Sequence, residues 1–129
     1  MTTLRMFKIR QNLPRPRVEN VGNAVRRGIN RLISGSRLSR GSTVAITAGS
    51  RGISHLDFII KTAIQVLQEA GFRPFLVAAM GSHGGGKAKG QLKILQNLGL
   101  SRETMGVPVL AGAELWEVGR TGSGYPVYC

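Results

Sequence analysis

The chain has 129 residues, 42% of them apolar, and a mean hydropathy near zero, which is the composition of one soluble globular domain. No apolar run approaches the about 20 residues of a membrane span, and the N-terminus lacks the apolar stretch of a secretory signal. These features exclude a membrane protein, so we expect a cytoplasmic location. The single cysteine, Cys129, excludes an internal disulfide.

The chain is strongly basic, with a net charge of +12. The excess lies mainly in residues 1–40, where Glu19 is the one acid among these cations: Arg5, Lys8, Arg10, Arg15, Arg17, Arg26, Arg27, Arg31, Arg37 and Arg40. Such a balance fits nucleic acid, a phosphorylated cofactor or an anionic substrate. Because aromatic side chains do not interleave this segment, we do not expect a nucleic-acid partner.

The first 40 residues divide into an arm and a helix. Pro14 and Pro16 forbid a continuous helix, so residues 1–17 are predicted to form a basic extended arm. A second unit, residues 18–129, is predicted to be the folded domain. Its apolar residues from Val18 to Leu32 recur at spacings of three and four, which predicts an amphipathic helix ending near Gly35.

Residues 43–79 are predicted to form a strand-helix-strand unit. The run 43–48 is short, β-branched and apolar, which favours a central parallel strand buried on both faces. Ser54 is the expected cap of the following helix, which Gly71 ends, and residues 73–79 form the second buried strand. The predicted fold class is therefore α/β, a parallel-sheet βαβ domain with helices on both faces.

The remainder of the chain begins with a glycine-rich loop, residues 80–87. A helix is predicted over residues 88–97 with Leu92, Leu95 and Leu98 directed inward, and Gly99 stops it. Short extended pieces follow at residues 107–110, 114–118 and 125–128, the last two joined by a Thr-Gly-Ser-Gly turn. Because the last piece reaches the final residues with no closing element, we expect the domain to be C-terminally incomplete.

The best functional signal is the predicted convergence of two loops. Ligands of parallel α/β sheets lie beyond the carboxyl ends of the strands, and both glycine-rich loops fall there. Neighbouring strands would bring Ser50 and Arg51 close to Ser82 and His83. Arginine offers a planar fork for a carboxylate, and histidine exchanges protons near neutral pH, so this group suits a small hydroxy acid.

A phosphate-binding loop is the competing interpretation of the second loop. Gly81, Gly86 and Lys87 match the spacing of such a loop, but Ala88 replaces the Ser or Thr that would bind magnesium. No later apolar strand ends in Asp. A nucleoside triphosphatase is therefore not expected.

Two loop motifs carry a resemblance to a known family. Residues 48–53, Ala-Gly-Ser-Arg-Gly-Ile, and residues 79–85, Ala-Met-Gly-Ser-His-Gly-Gly, lie one helix apart and are followed by Glu-Val-Gly-Arg-Thr-Gly-Ser-Gly-Tyr-Pro-Val-Tyr at 117–128. Together they resemble the N-terminal domain of the lactate racemase family over residues 18–128. The first loop departs from the family's characterised racemase, which has an Asp-containing motif there.

The resemblance implies an isomerase that uses a nickel-pincer nucleotide to invert a 2-hydroxy acid such as lactate. It implies that His83 is one of two acid/base histidines and that Arg51 binds the substrate carboxylate. Ser50, Arg51, Gly81, Ser82 and Gly84 would contact substrate or cofactor. The family's tethering lysine, second catalytic histidine and nickel ligand lie beyond Cys129, so no metal ligand is assigned and we expect the chain alone to be inactive.

Two alternatives remain open. A non-catalytic module that binds anions or nucleic acid would use the arginine-rich residues 5–40 instead of the two loops, and its affinity would fall steeply with salt. An inactive truncated product would have the same fold and no activity.

Overall fold

The computed structural model describes residues 6–14, 16–112 and 117–128. In chain order its elements are α1 (Val21–Gly35), β1 (Thr43–Ala48), α2 (Leu56–Glu69), β2 (Arg73–Ala78), a 3₁₀ turn (His83–Gly86), α3 (Ala88–Asn97), α4 (Arg102–Met105), β3 (Val109–Leu110), β4 (Glu117–Arg120) and β5 (Pro126–Tyr128). None of the helices in these ranges is long and apolar enough to cross a membrane.

A three-stranded parallel sheet organises the domain, in the order β1-β2-β3. Six residue pairs align β1 with β2, from Thr43 opposite Arg73 to Ala48 opposite Ala78. The predicted α/β class and strand-helix-strand unit are confirmed. The predicted central position of β1 is wrong, because β2 lies in the middle and β1 at an edge.

The burial of β1 explains this error. Thr43, Ala45 and Thr47 are exposed, whereas Ile46 is half-buried and Ala48 is buried. The run is apolar in composition, but the side chains on its outer face are only alanine and threonine. Such small side chains tolerate contact with water, so the strand needs burial on one face only.

Helices α2, α3 and α4 share one core with the sheet. Ile46, Ala48, Leu76, Ala78 and Val109, which share one side of the three strands, contact a single core. The core residues with the lowest exposure are Ile64, Leu76, Leu95 and Leu100. Both crossovers move in the same direction along the sheet, and crossovers of one hand then place their helices on the same face.

Two helices end at the predicted glycines, and one helix begins later than predicted. Gly71 and Gly99 adopt positive φ angles of 85° and 77°, and they end α2 and α3 as predicted. α1 begins at Val21 instead of near Val18, because the Asn20 side chain accepts a hydrogen bond from the Asn23 amide. Val18 lies outside the helix and is exposed.

The start of α2 does not follow the prediction. His55, not Ser54, occupies the N-cap position, with a φ of 59° in the left-handed region and no side-chain hydrogen bond to the helix. The chain therefore enters α2 through a strained residue rather than through a serine cap. The apolar face of α2 is buried at Ile60, Ala63, Ile64 and Leu67.

The C-terminal part contains a separate hairpin. β4 and β5 pair antiparallel, and the Thr121 and Gly124 amides make the turn hydrogen bonds of the predicted Thr-Gly-Ser-Gly connection. The predicted piece at residues 107–110 contains β3, and that at residues 114–118 begins outside the described residues. Residues 6–14 and 16–19 form neither helix nor strand.

The backbone of the glycine-rich loop lies directly against the backbone of α3. A Cβ atom on Gly84 would lie 2.5 Å from the Gly90 carbonyl carbon, and one on Gly90 would overlap the Gly84 carbonyl oxygen. Gly28, in α1, has no atom within 4 Å of its hypothetical Cβ. Both glycines are helical, but of these two only Gly90 has the backbone of another segment against it.

We expect Gly90→Ala to lower the free energy of unfolding by about 2 kcal/mol, because the loop must move away from α3. Gly28→Ala should raise it by about 0.5–1 kcal/mol, since alanine stabilises an unobstructed helix. Urea denaturation of both variants measures the difference. Equal stabilisation by the two substitutions would contradict the close approach of loop and helix.

Candidate functional site

The two loops meet at the carboxyl edge of the sheet because β1 and β2 stay paired beyond their last residues. The Ala79 amide donates to the Ala48 carbonyl at 2.8 Å, one residue past the end of β2. This bond carries the parallel register into the loops. Ser50 and His83 then face each other, and Ser50 Oγ lies 2.5 Å from His83 Nδ1, within hydrogen-bond distance.

A cavity of about 360 Å³ opens between these loops. Ser50, Arg51 and His83 line it together with apolar side chains and backbone of both strand ends: Thr47, Ala48, Gly49, Ile53, Leu56, Ala79 and Met80. Its volume falls in the range of small-ligand sites. The predicted convergence of an arginine and a histidine at this edge is therefore seen in the structure.

Left-handed backbone conformations determine the path of the second loop. Gly81, Gly84, Gly85 and Gly86 have φ angles of 55° to 72°, a region that glycine adopts without steric cost. The His83 amide donates to the Met80 carbonyl at 3.1 Å, which closes the turn before the histidine. Met80 is buried and anchors the start of this turn in the core.

Gln91 holds the loop from the side of α3. Its side chain is buried, and its Nε2 donates to the Gly81 carbonyl at 2.9 Å. The sequence interpretation missed this residue, since a glutamine in the first turns of a helix carries no signal of a loop contact. Gln91 therefore fixes the position of the loop that carries His83.

The remaining predicted site residues do not line the cavity. Ser82 is exposed, and its carbonyl accepts a hydrogen bond from the Gly86 amide. The Gly81 carbonyl is bound by Gln91, and Gly84 lies against Gly90. These three residues shape the turn that presents His83, and their predicted contact with substrate or cofactor stays a prediction.

The hydrogen bond between Ser50 and His83 determines which ring nitrogen is available. Whichever atom is the donor, Nδ1 is engaged by the serine, which leaves Nε2 as the nitrogen for a ligand. No carboxylate lines the cavity among the described residues, so the pair lacks the third group that orients the histidine of a serine nucleophile. The arrangement suits proton exchange by His83 next to the cation Arg51.

The described residues do not by themselves form a metal centre. No group of three or more His, Cys, Asp or Glu side chains lies together within residues 6–14, 16–112 and 117–128. Cys129 lies outside these ranges. The donor set around His83 therefore consists of a serine, an arginine and backbone groups, which do not fit a nickel site.

Comparisons with protein-family models, with curated proteins and with solved structures find no match to this chain.

We expect Ser50→Ala to shift the ¹⁵N signal of His83 Nδ1, because this nitrogen loses a hydrogen bond worth about 1 kcal/mol. Long-range ¹H–¹⁵N correlation spectra of the imidazole rings measure this shift. The chain has two histidines, so His55 serves as the internal reference.

Ser82→Ala is the matched control, since it removes a neighbouring exposed hydroxyl that the structure does not place against the ring. Its His83 signals should match those of the unmodified chain. Unchanged His83 signals in Ser50→Ala, or equal changes in both variants, would contradict the assigned hydrogen bond.

Proposed function

We propose that this chain forms the substrate-binding side of a 2-hydroxy acid racemase or epimerase, an isomerase of the lactate racemase type that acts in the cytoplasm. The observation that carries the proposal is the common cavity of Arg51 and His83, in which Ser50 bonds to His83 Nδ1. The resemblance of the two loop sequences to that family adds the reaction class.

In this proposal Arg51 binds the substrate carboxylate. A guanidinium presents parallel N–H groups that match the two carboxylate oxygens, and its charge persists at every physiological pH. The apolar lining from Ile53 and Leu56 faces the same cavity and suits a short aliphatic substituent. A small 2-hydroxy acid satisfies both requirements.

His83 takes the proton of the substrate hydroxyl in this proposal. Its Nε2 is the nitrogen that Ser50 leaves available, and an imidazole exchanges protons near neutral pH. The loop glycines and Gln91 hold the ring in place before substrate binds, which reduces the entropy cost of the step.

The nickel-pincer nucleotide belongs to the proposal only through the resemblance. When bound, such a cofactor accepts and returns the hydride of the substrate carbon. The described residues do not fit its nickel, and no hydride-transfer step is assigned to them. The proposal for this chain therefore concerns carboxylate binding by Arg51 and proton exchange by His83.

A basic module that binds anions or nucleic acid is the second candidate, and the positive charge of residues 6–14 and 16–40 favours it. One of these arginines already has a structural partner, however. Arg26 pairs with Glu69 at 3.0 Å. The convergence at the sheet edge is the more specific arrangement, so we favour the hydroxy acid.

Titration with L-lactate, D-lactate and propionate, followed by amide chemical shifts, tests the proposal. We expect both lactates to bind more tightly than propionate, which has no hydroxyl group for His83. Arg51→Ala should weaken lactate at least about tenfold, because a hydrogen bond to a charged group contributes about 1.5–3 kcal/mol. His83→Ala should abolish the preference for lactate over propionate.

Arg27→Ala is the control for net charge, since Arg27 is exposed on α1 and lies away from the cavity lining. It should leave the lactate affinity unchanged. Equal weakening by Arg27→Ala and Arg51→Ala would contradict the proposal and support the basic module instead. Failure of the unmodified chain to bind lactate would contradict it directly.

A further inference from the structure

A second groove lies on the other side of α3, away from the cavity of Arg51 and His83. It measures about 600 Å³ and is formed by the outer face of α3, the α3–α4 turn, α4 and β3. Leu92 and Val109 give it an apolar surface above the buried Leu100, and none of the three lines the first cavity. The groove is therefore a separate feature of the fold.

The apolar surface of the groove includes a leucine that the core does not use. Leu92 was predicted to face inward with Leu95 and Leu98, but 38% of it is exposed, whereas Leu95 is completely buried. The prediction for Leu92 is wrong because α3 contacts β2 and β3 along a narrow stripe. A leucine thus remains at the surface between two lysines.

The rim of the groove is cationic. Lys89 and Lys93 stand one helical turn apart on α3, and Arg102 faces them from α4. Glu103 is the one carboxylate that residues 6–14, 16–112 and 117–128 contribute to the lining. Hydrogen bonds from the Ser101 side chain and from the backbone of Glu103 itself lower the pKa of Glu103, and so does the charge of Arg102. Glu103 is therefore ionised at neutral pH. Three cations and one anion leave an excess of positive charge.

The shape of the groove indicates a macromolecule rather than a small molecule. Most of its lining side chains are exposed, and Leu100 is its fully buried member. Small ligands are usually enclosed over most of their surface, whereas a helix or extended segment can lie in an open groove. The occupant therefore needs apolar side chains for the floor and negative charge for the rim.

Two other occupants fit less well. Among the described residues, no aromatic side chain lines the groove, so they offer no stacking surface for nucleic-acid bases. A second copy of this chain is a poor partner, because each copy carries a charge of +12 and only six acidic residues. Two of these acids, Glu69 and Glu117, already pair with Arg26 and Arg120.

We propose that the groove formed by α3, α4 and β3 binds an acidic amphipathic segment of a partner protein, with its apolar side chains on Leu92 and Val109 and its carboxylates on Lys89, Lys93 and Arg102. This interaction is independent of the proposed hydroxy acid site, because the two share no lining residue. It gives the exposed Leu92 and the flanking lysines a common role.

The test uses a fluorescein-labelled synthetic helix of about sixteen residues, with leucines spaced three and four apart and glutamates elsewhere. A second peptide replaces each leucine with serine at the same charge. Fluorescence anisotropy should show saturable binding of the leucine peptide to the full chain and at least about tenfold weaker binding of the serine peptide.

Lys93→Glu should weaken the leucine peptide at least about fivefold, because it places like charges opposite each other. Lys61→Glu is the matched control, since Lys61 is an exposed helical lysine on α2 that does not line the groove. It should have little effect. Leu92→Gln should weaken the leucine peptide but not the serine peptide, and circular dichroism checks that each variant folds.

Three results would overturn the proposal. In the first, the leucine peptide fails to bind. In the second, Lys61→Glu and Lys93→Glu weaken its binding equally, which would indicate attraction to net charge alone. In the third, an oligothymidylate probe binds with the same dependence on Lys93 while the serine peptide matches the leucine peptide. That outcome would make the groove a general polyanion surface.

Discussion

The parallel pairing of β1 with β2 is the constraint on which the candidate site depends. Ala48 lies opposite Ala78, and the Ala79 amide continues the ladder by donating to the Ala48 carbonyl. A slip of β1 by one residue would turn every side chain of that strand to the opposite face and remove Ile46 and Ala48 from the core. Because burial of these residues opposes that slip, the energy that fixes the register also fixes the distance between Ser50 and His83.

The second requirement is that a loop rich in glycine be held still. Glycine gains access to left-handed backbone at the cost of conformational entropy, so such a loop orders only if its surroundings restrain it. Here α3 supplies the restraint through the Gly84–Gly90 contact and the hydrogen bond from Gln91 to the Gly81 carbonyl. Gly90 serves this contact because it has no side chain, although glycine is a poor helix former.

The sequence predicts the parts of this structure that follow from local pattern. Strand and helix positions, the stops at Gly71 and Gly99 and the meeting of the two loops all follow from periodicity and turn chemistry. The sequence pattern does not show how many other helices and strands surround a given element. For this reason it wrongly predicts β1 in the centre of the sheet and Leu92 in the core. The positions within the second loop depend on a turn that contacts with α3 hold in place, so the sequence does not predict that His83 lines the cavity while Ser82 does not.

Helix α3 serves both candidate sites, and this bears on how they would influence each other. Its inner residues Gly90 and Gln91 position the His83 loop, while Lys89 and Lys93 belong to the outer groove. Coupling between two ligands requires that each bind one arrangement of a shared element better than another. A partner that leaves α3 in place therefore leaves the affinity of the His83 cavity unchanged. A partner that displaces α3 must also overcome the contact of Gly90 with Gly84, so its binding and the order of the His83 loop would oppose each other.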